Sequence, residues 1–402
     1  MFTAGELEGM PEELVGAFEE LQNRILSDIV RRMRANNNEI TRSADWQIYR
    51  AHELGMADAE IRAAIRDALK LSDTALDDLF EAVINEDWTR MKKLYDKPGT
   101  PIKMYSENEE LHQLIRALKE QTREELPNIT RTMGVAASNR GRTELVSLTQ
   151  YYIKTLDGAA LDISSGAFDY NAVLRRIVRE LTNSGIRYID YESGWSNRLD
   201  VAARRAVMTG IGQLTGKISE QNAEALGTDM YEVSVHNGCR PTHLDWQGGW
   251  YTMADLRRVC GYGDVAGLKG ANCRHDFYPV IPGIDEPAYT KEELAKIRED
   301  EKTPREYNGK SYTAYEATQR QREMERTMRA IRQRIKLLKD GDAPEEDIIG
   351  ARASYRAVSQ EYAKFSKEMR LPEQRERVTI DGLGNIATGR YRKPKNDNKS
   401  EA

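Results

Sequence analysis

The sequence is poor in cysteine and has no long apolar run, and each shortage excludes a class of protein. Three Cys among 402 residues exclude a fold held by disulfides and fit a reducing compartment. No window offers the roughly 18 consecutive apolar residues of a membrane helix. The first residues also lack the basic region and apolar run of a secretory signal. We therefore expect a protein that makes no membrane contact.

Aromatic residues are also scarce, at 7%, and neither sign of charge dominates, since the formal net charge is −5. Residues 291–402 nevertheless hold 26 Lys and Arg against 21 Asp and Glu, a net of +5, which leaves −10 for residues 1–290. A basic end on an acidic body is typical of contact with nucleic acid or with an acidic protein surface. The basic residues alternate with Glu, however, so solvated helix faces are the simpler interpretation.

Apolar residues recur at helical spacing through the first half of the chain. The spacing predicts helices over residues 14–33, 46–54, 58–70 and 73–95. Ser106 and Glu109 form a capping box that opens a further helix, and Pro127 is expected to follow its end. The stretch 97–101, Lys-Pro-Gly-Thr-Pro, predicts a hinge or linker.

Two more helices and two strands are predicted toward the middle of the chain. One helix spans 170–183 and stops at Gly185, and a longer one is capped by Asn197 and ends near Gly227. Alternating residues predict a strand over Met230–His236. Asp276–Gly283 is its expected partner, which its proline confines to a sheet edge. Seven glycines lie between the two strands, which predicts a segment made mostly of turns.

The C-terminal part predicts an antiparallel helical hairpin. Apolar residues repeat in 3-4 spacing over residues 324–338 and 348–369, which is a coiled-coil seam. Gly341 is expected to end the first helix, and Asp342 with Glu345 to cap the second. The sequence GRYRKPKNDNKSEA then forms a short basic tail.

Cysteine and histidine are concentrated in residues 229–290, which we call the Cys/His module. A Zn²⁺ ion takes four Cys or His ligands from closely spaced pairs on turns. Cys273 and His275 would point to the same face of a strand, and a metal would stabilise a segment with little apolar core of its own. The six candidate ligands are His236, Cys239, His243, Cys260, Cys273 and His275.

Two other interpretations of the module stay open. The Cys and His side chains could fill packing gaps and form hydrogen bonds with backbone carbonyls in a compact, turn-rich segment. They could instead act with Asn237, Asp245 and Asn272 as a metal nuclease, in which His activates water, or as a Cys273–His275 nucleophile pair. Independently of these interpretations, Arg240 and Arg274 each follow a Cys directly and are expected to form structural ion pairs with carboxylates such as Asp245 or Asp276.

Four strings resemble a known family. SVHNGCRPTHLDWQGGWY, GYGDVAGLKGANCRHDFYPVIPGI, IDYESGW and LDVAARRAVMTGI are similar to the signature of the tailed-phage minor capsid protein family of the second type, itself related to head proteins like phage Mu protein F. The resemblance covers about residues 120–287. It implies a virion protein made in the bacterial cytoplasm and placed at the portal vertex or in the capsid interior, for head assembly, genome packaging or delivery.

The resemblance also bears on the site. The family pattern often has a small residue where this chain has Cys239, which moves the predicted metal ligands to His236, His243, Cys273 and His275. It usually has Lys at the place of Gly249. Some relatives carry a toxin domain after the matched region, whereas the helical pattern here predicts no appended enzyme.

The sequence therefore predicts a mainly α protein with a small, loop-rich α+β module and a C-terminal helical hairpin. The expected parts are an N-terminal helical region (1–100), a helical core (101–228), the Cys/His module (229–290), the hairpin (291–372) and a basic tail (373–402). The expected function is a structural minor capsid protein that turns over no substrate, with one structural Zn²⁺ as its only cofactor. Its expected partners are the portal or the major capsid protein, and packaged DNA at the tail. The alternative is a metal-dependent nuclease or hydrolase.

Overall fold

The computed structural model describes residues 2–39, 43–95, 108–139, 142–164, 168–189 and 195–387. Helices form most of this part of the chain, and the strands make up small antiparallel sheets. The predicted fold class, mainly α with a small α+β part, is confirmed. Within these residues no helix combines the length and the apolar character needed to cross a membrane. The predicted hinge at 97–101 and the predicted basic tail after residue 387 lie outside the described residues.

The N-terminal region consists of long helices. They are α1 (Ala4–Gly9), α2 (Glu12–Glu39), α3 (Ser43–Tyr95) and α4 (Glu109–Arg131). The prediction of three separate helices between residues 46 and 95 is wrong, because α3 is continuous over 53 residues. At the expected break, Ser72 is fully buried and its hydroxyl donates to the Ala68 carbonyl at 2.6 Å. Leu76, one turn later, is also fully buried, so packing keeps the helix intact through its polar residues.

Both ends of α4 differ from the prediction. Ser106 lies outside the described residues, and Asn108 caps the helix by accepting from the Leu111 amide at 3.1 Å. The prediction that Pro127 follows the helix is wrong, since the proline lies inside it. Leu126 and Ile129 on either side are buried, and their burial outweighs the one hydrogen bond that proline cannot donate.

A four-stranded antiparallel sheet, which the sequence did not reveal, follows α4. Its strands, in spatial order, are β2 (Arg142–Ser147), β1 (Met133–Asn139), β3 (Arg187–Ile189) and β4 (Ser196–Arg198). Helices α5 (Leu148–Ser164) and α6 (Tyr170–Ser184) connect β2 to β3. After Met133, the buried side chains of β1 are small, as Val135 and Ala137 show. Such residues give a weak alternation signal.

Helix α7 (Leu199–Leu226) runs through the centre of the molecule and leads to the Cys/His module. Gly227 ends it in the left-handed conformation, with φ of 64°, and Gly185 caps α6, so both predicted stops are confirmed. The prediction that Asn197 caps α7 is wrong. Asn197 pairs with Tyr188 inside β4, and Arg198 precedes the helix without a side-chain cap.

Within the module, three short strands form a sheet in the order β6-β5-β7. The elements are β5 (Met230–Val233), β6 (Trp250–Thr252), α8 (Met253–Arg258) and β7 (Phe277–Pro279). The two predicted strands are confirmed in shorter form, and Pro279 lies on an edge strand as expected.

The C-terminal region begins with α9 (Lys291–Lys302), β8 (Arg305–Tyr307) and β9 (Lys310–Tyr312). Helices α10 (Ala314–Asp340), α11 (Glu345–Glu368) and α12 (Glu376–Thr379) follow. Tyr362 of α11 donates to Glu325 of α10 at 3.0 Å, and Gly341 ends α10 as predicted. The predicted cap of α11 is wrong, because Pro344 takes the N-cap position and Asp342 pairs with Arg34 at 3.0 Å instead.

Two hydrophobic cores hold these elements. The larger one contains side chains from all the described helices except α8 and α9, from Phe2 to Ala387. A buried ion pair, in which Arg332 donates to both Asp381 carboxylate oxygens at 2.7 Å, joins α10 to the segment after α12. The smaller one lies inside the module around Phe277, which is fully buried and stacks edge-on against Tyr231 and Tyr262. The module thus has its own core, docked on the end of α7.

Candidate functional site

Three of the four predicted metal ligands come together inside the Cys/His module. The ligand atoms of His243, Cys273 and His275 all lie within 4.8 Å of one another, and the three side chains are buried. Cys273 Sγ lies 4.0 Å from His243 Nδ1 and 3.6 Å from His275 Nδ1. Within the described residues, this is the group of His, Cys and carboxylate side chains close enough to share one ion.

Tight turns bring the three residues into position. His243 lies in a run of turns in which its amide donates to the Arg240 carbonyl at 2.8 Å. The amide of Cys273 donates to the Gly270 carbonyl at 3.0 Å, and the preceding Asn272 has a φ of 59°. His275 follows in the extended segment that enters β7, so Cys273 and His275 project to the same side, as their spacing predicts.

Hydrogen bonds fix the orientation of the two imidazole rings. His243 Nε2 lies 2.9 Å from the Ala266 carbonyl oxygen, which can only accept, so this nitrogen carries the proton. His275 Nε2 lies 3.2 Å from Gln247 Oε1, which is likewise an acceptor. In both rings Nδ1 is therefore left as a lone pair facing Cys273. An imidazole that donates its far N–H to a carbonyl or amide oxygen is the usual arrangement of a histidine that binds a metal.

Burial keeps the whole group uncharged. It lowers the pKa of His243, and it lowers the pKa of His275 well below its usual range, with help from His236 and His243. Burial raises the pKa of the Cys273 thiol. Neutral imidazoles are ready to bind a cation, whereas the thiol would have to lose its proton on binding. A protonated, buried thiol is also a poor nucleophile.

His236, the fourth predicted ligand, lies beside the group without pointing a nitrogen at it. Its ring is tilted by 34° against the His275 ring, with centroids 4.2 Å apart. Its Nδ1 lies 3.1 Å from the Asn237 carbonyl and donates to it. Cys239 is buried and lines the same cavity as Cys273, and Cys260 lies in the small core.

The residues predicted for a nuclease do not converge in the same way. Asp245 is 75% exposed and lies 3.8 Å from Lys302, and Asn237 and Asn272 are exposed. Asn237 and Asp245 lie at the surface, whereas Asn272, although exposed, lines the same cavity as Cys273.

The predicted partners of the two arginines are wrong. Arg240 donates to the backbone carbonyls of Ala266 and Ala271, at 3.3 and 2.5 Å. Arg274 forms an ion pair with Glu8 at 3.0 Å. Neither set of partners could be predicted from the local sequence. Arg240 binds backbone carbonyls, and Arg274 binds a residue more than 260 positions away.

Two further features of the site were not predicted from the sequence. Gln247 accepts from the His236 amide at 3.2 Å as well as facing His275, and its own side-chain nitrogen is buried without a partner. Lys269 is buried, has a φ of 60°, and donates to Thr215 at 2.6 Å while pairing with Asp276. The signal for Lys269 is only its place in a glycine-rich loop, where a lysine is normally solvated.

Comparison with known proteins gives one result. The model of the family described as phage minor capsid protein 2 matches residues 3–367 of the chain. No curated protein and no solved structure matches it.

Proposed function

The chain belongs to the phage minor capsid protein 2 family, and from this premise we propose that it acts at the portal vertex or in the capsid interior during head assembly, genome packaging or delivery. Membership makes it a structural protein of the phage head that interacts with other head proteins and resides in the virion. The observation that carries the proposal is the extent of the match, from α1 to the end of α11. A single shared motif would be far weaker support.

The shape of the chain suits this role. Long helices from both ends bury one continuous core, and the reactive groups of the Cys/His module are turned inward. In the proposal, assembly takes place in the host cytoplasm, the partners are the portal or the major capsid protein, and the basic residues beyond 387 touch packaged DNA. Such a DNA contact would weaken steeply with salt, because it would release counterions from the phosphates.

Within this role, the Cys/His module is proposed to hold one structural Zn²⁺. Zinc bonds of about 2.3 Å to sulfur and 2.0–2.1 Å to nitrogen, in a tetrahedron, place S and N ligands about 3.5 Å apart. The 3.6 Å between Cys273 Sγ and His275 Nδ1 fits this spacing. The 4.0 Å to His243 Nδ1 fits after a small contraction. His236 is proposed as the fourth ligand, with a turn of its ring that gives up the bond to Asn237.

Metal analysis of the purified protein tests the zinc proposal. We expect about one Zn²⁺ per chain in the wild type, and loss of the metal in Cys273→Ser and His275→Asn. Cys260→Ser and His112→Asn are matched controls that should retain it. His236→Asn should bind zinc more weakly, since one of the four ligands is replaced. A wild-type protein that stays free of zinc after expression and refolding in its presence would refute this part of the proposal.

The same preparation tests the alternative, a metal-dependent nuclease or hydrolase. Supercoiled DNA is incubated with the protein and Mg²⁺ or Mn²⁺, with His243→Asn as the matched variant. The structural proposal predicts no nicking above the level of that variant. Nicking by the wild type that His243→Asn abolishes, with the fold intact by circular dichroism, would replace it.

The place of the protein in the head is tested on purified phage particles. Quantitative mass spectrometry should find the chain in intact heads at far fewer copies than the major capsid protein. Chemical cross-linking should join it to the portal or to the capsid shell. Recovery of the chain only from the soluble lysate, with none in washed heads, would contradict the proposed role.

A further inference from the structure

A cavity of about 360 Å³ lies where α7, the Cys/His module, α10 and α12 meet. Seven arginine side chains are among its described lining residues. Arg204 comes from α7, Arg274 from the module, Arg322 from α10 and Arg377 from α12. Arginines from four separate segments thus line one partly open cavity, and His236 lines it as well.

The carboxylates around the cavity do not balance these charges. Glu12, Asp200 and Glu325 line it, and Glu8 and Glu19 form ion pairs with lining arginines. Among the described residues, seven guanidinium groups line the cavity against five carboxylates that line it or pair with its arginines, which leaves two positive charges in excess. Like charges in a poorly solvated space repel one another strongly.

Glu8 shows how unevenly the charges are paired. It is 6% exposed, and it pairs with Arg274 at 3.0 Å, with Arg322 at 2.6 Å and with Arg377. Arg204 reaches only the backbone carbonyl of Glu8, at 2.7 Å. Among the described residues no carboxylate lies within ion-pairing distance of Arg204. The Glu8 carboxylate thus pairs with three arginines, while Arg204 pairs with no carboxylate of the described residues.

The pKa values of the charged groups around the cavity agree with this crowding of positive charges. The pKa of Arg204 is lowered to about 10 by burial first and by Arg377 next. Burial also lowers the pKa of Arg322 to about 10. The pKa of Glu8 is held at about 2, because the surrounding arginines outweigh its burial. An additional anion in the cavity would relieve the repulsion that lowers the two arginine pKa values.

We propose that this cavity binds a phosphate-type oxyanion, with Arg204 as its principal ligand and Arg322 and Arg377 completing the site. A guanidinium group offers two parallel N–H donors to a tetrahedral oxyanion, which is the strongest way a side chain can hold phosphate. The cavity volume suits a compact anion and its hydration water. The phosphate could be free or the terminal group of a nucleotide, and the two sources share this chemistry. The inference is independent of the proposed role in the head.

Isothermal titration calorimetry and thermal unfolding on the full chain test the site. Both are run in a phosphate-free buffer on the protein as purified, without added metal ions, and the arginine variants distinguish binding in the cavity from binding to a metal ion. Inorganic phosphate should bind saturably with one site per chain and raise Tm, and chloride at equal ionic strength should not. A nucleoside 5′-monophosphate forms the second arm. Tighter binding than phosphate would identify a nucleotide as the source, and equal or weaker binding would identify the free ion.

Two variants localise the binding. Arg204→Gln should weaken phosphate binding at least tenfold, because a charge-assisted pair is lost. Arg320→Gln, a partly exposed arginine of α10 that does not line the cavity, should leave the affinity unchanged. Arg326→Gln removes an exposed lining arginine and should weaken binding, which provides a second test if Arg204→Gln does not fold.

Equal Tm shifts with phosphate and chloride would overturn the inference. So would phosphate affinity that stays the same in both lining variants, or that falls equally in Arg320→Gln. These results leave the family-based role untouched, whereas absence from the head would leave the cavity's binding untouched.

Discussion

Acidification is expected to destabilise the Cys/His module, because its three histidines are held neutral. The pKa of His236 is lowered to about 4, by burial first and by Arg274 next. Burial lowers the pKa of His243 and His275 as well. In the unfolded chain an imidazole titrates near 6.5. Between these two values the unfolded state binds a proton that folded His236 does not. The stability contribution is therefore complete above pH 6.5 and is lost as the pH falls toward 4.

The size of the effect follows from the shift of His236. One pKa unit corresponds to about 1.4 kcal/mol. At about pH 5, roughly 1.5 units below the unfolded pKa, the lost stability is about 2 kcal/mol from His236 alone. His243 and His275 act in the same direction. Glu19 acts in the opposite direction, since burial first, and then Asp200, raise its pKa to about 7, and acid therefore stabilises the fold there.

Urea unfolding of the metal-free protein measures this contribution. Comparison with His236→Asn removes the opposing effect of Glu19, which both proteins share. The free energy of unfolding of the wild type minus that of the variant should fall by about 2 kcal/mol between pH 7 and pH 5. Trp246 reports on the module, because its ring centroid lies 4.5 Å from that of His243 and 4.8 Å from that of His275.

His112→Asn, on α4, controls for the loss of an imidazole outside the module. If the difference between wild type and His236→Asn is the same at both pH values, His236 is not held neutral in the folded state. The account of how burial sets the charge of the group would then be wrong.

Three further predictions concern stability, each measured by guanidinium unfolding. Phe277→Ala should lower the free energy of unfolding of the module by about 3–5 kcal/mol, since it empties the centre of the small core; a change below about 1 kcal/mol would contradict that core. Arg332→Ala should lower the free energy of unfolding of the protein by about 3–5 kcal/mol, because Asp381 stays buried without its partner. Asp381→Asn in the same background should restore part of the loss, and no restoration would argue against the pairing. Gly267→Ala should destabilise by about 1–3 kcal/mol, because its Cβ would lie 2.0 Å from a backbone carbonyl oxygen; Gly350→Ala, in α11 with nothing within 4 Å, should be neutral or stabilising by up to about 1 kcal/mol.

Elements with a strong local signal could be predicted from the sequence. Gly185 and Gly227 end α6 and α7 where expected, and Pro279 marks an edge strand. Elements decided by packing could not. The continuity of α3 depends on the burial of Ser72, and the four-stranded sheet depends on the burial of small residues such as Ala137. For Ser72 and Ala137, the residue type and its neighbours in sequence do not indicate that the side chain is buried.

The candidate site, too, could be predicted only in part from the sequence. The spacing of Cys273 and His275 predicts that they share a face, and His243 does join them in space. The orientation of the rings could not be predicted, because it depends on the Ala266 carbonyl and on Gln247. The pairing of Arg274 with Glu8 could not be predicted either, since it joins distant parts of the chain.

The pairing of Glu8 with Arg377 also has a consequence for biosynthesis. The two residues are 369 positions apart, and ribosomes add about 5–20 residues per second. About 20–70 s therefore pass between the synthesis of Glu8 and that of Arg377. The first helix cannot reach its final environment until the segment that carries Arg377 has been synthesised. Folding of the large core must therefore wait for α12, and a product that stalls before it would leave the opening helices without these contacts.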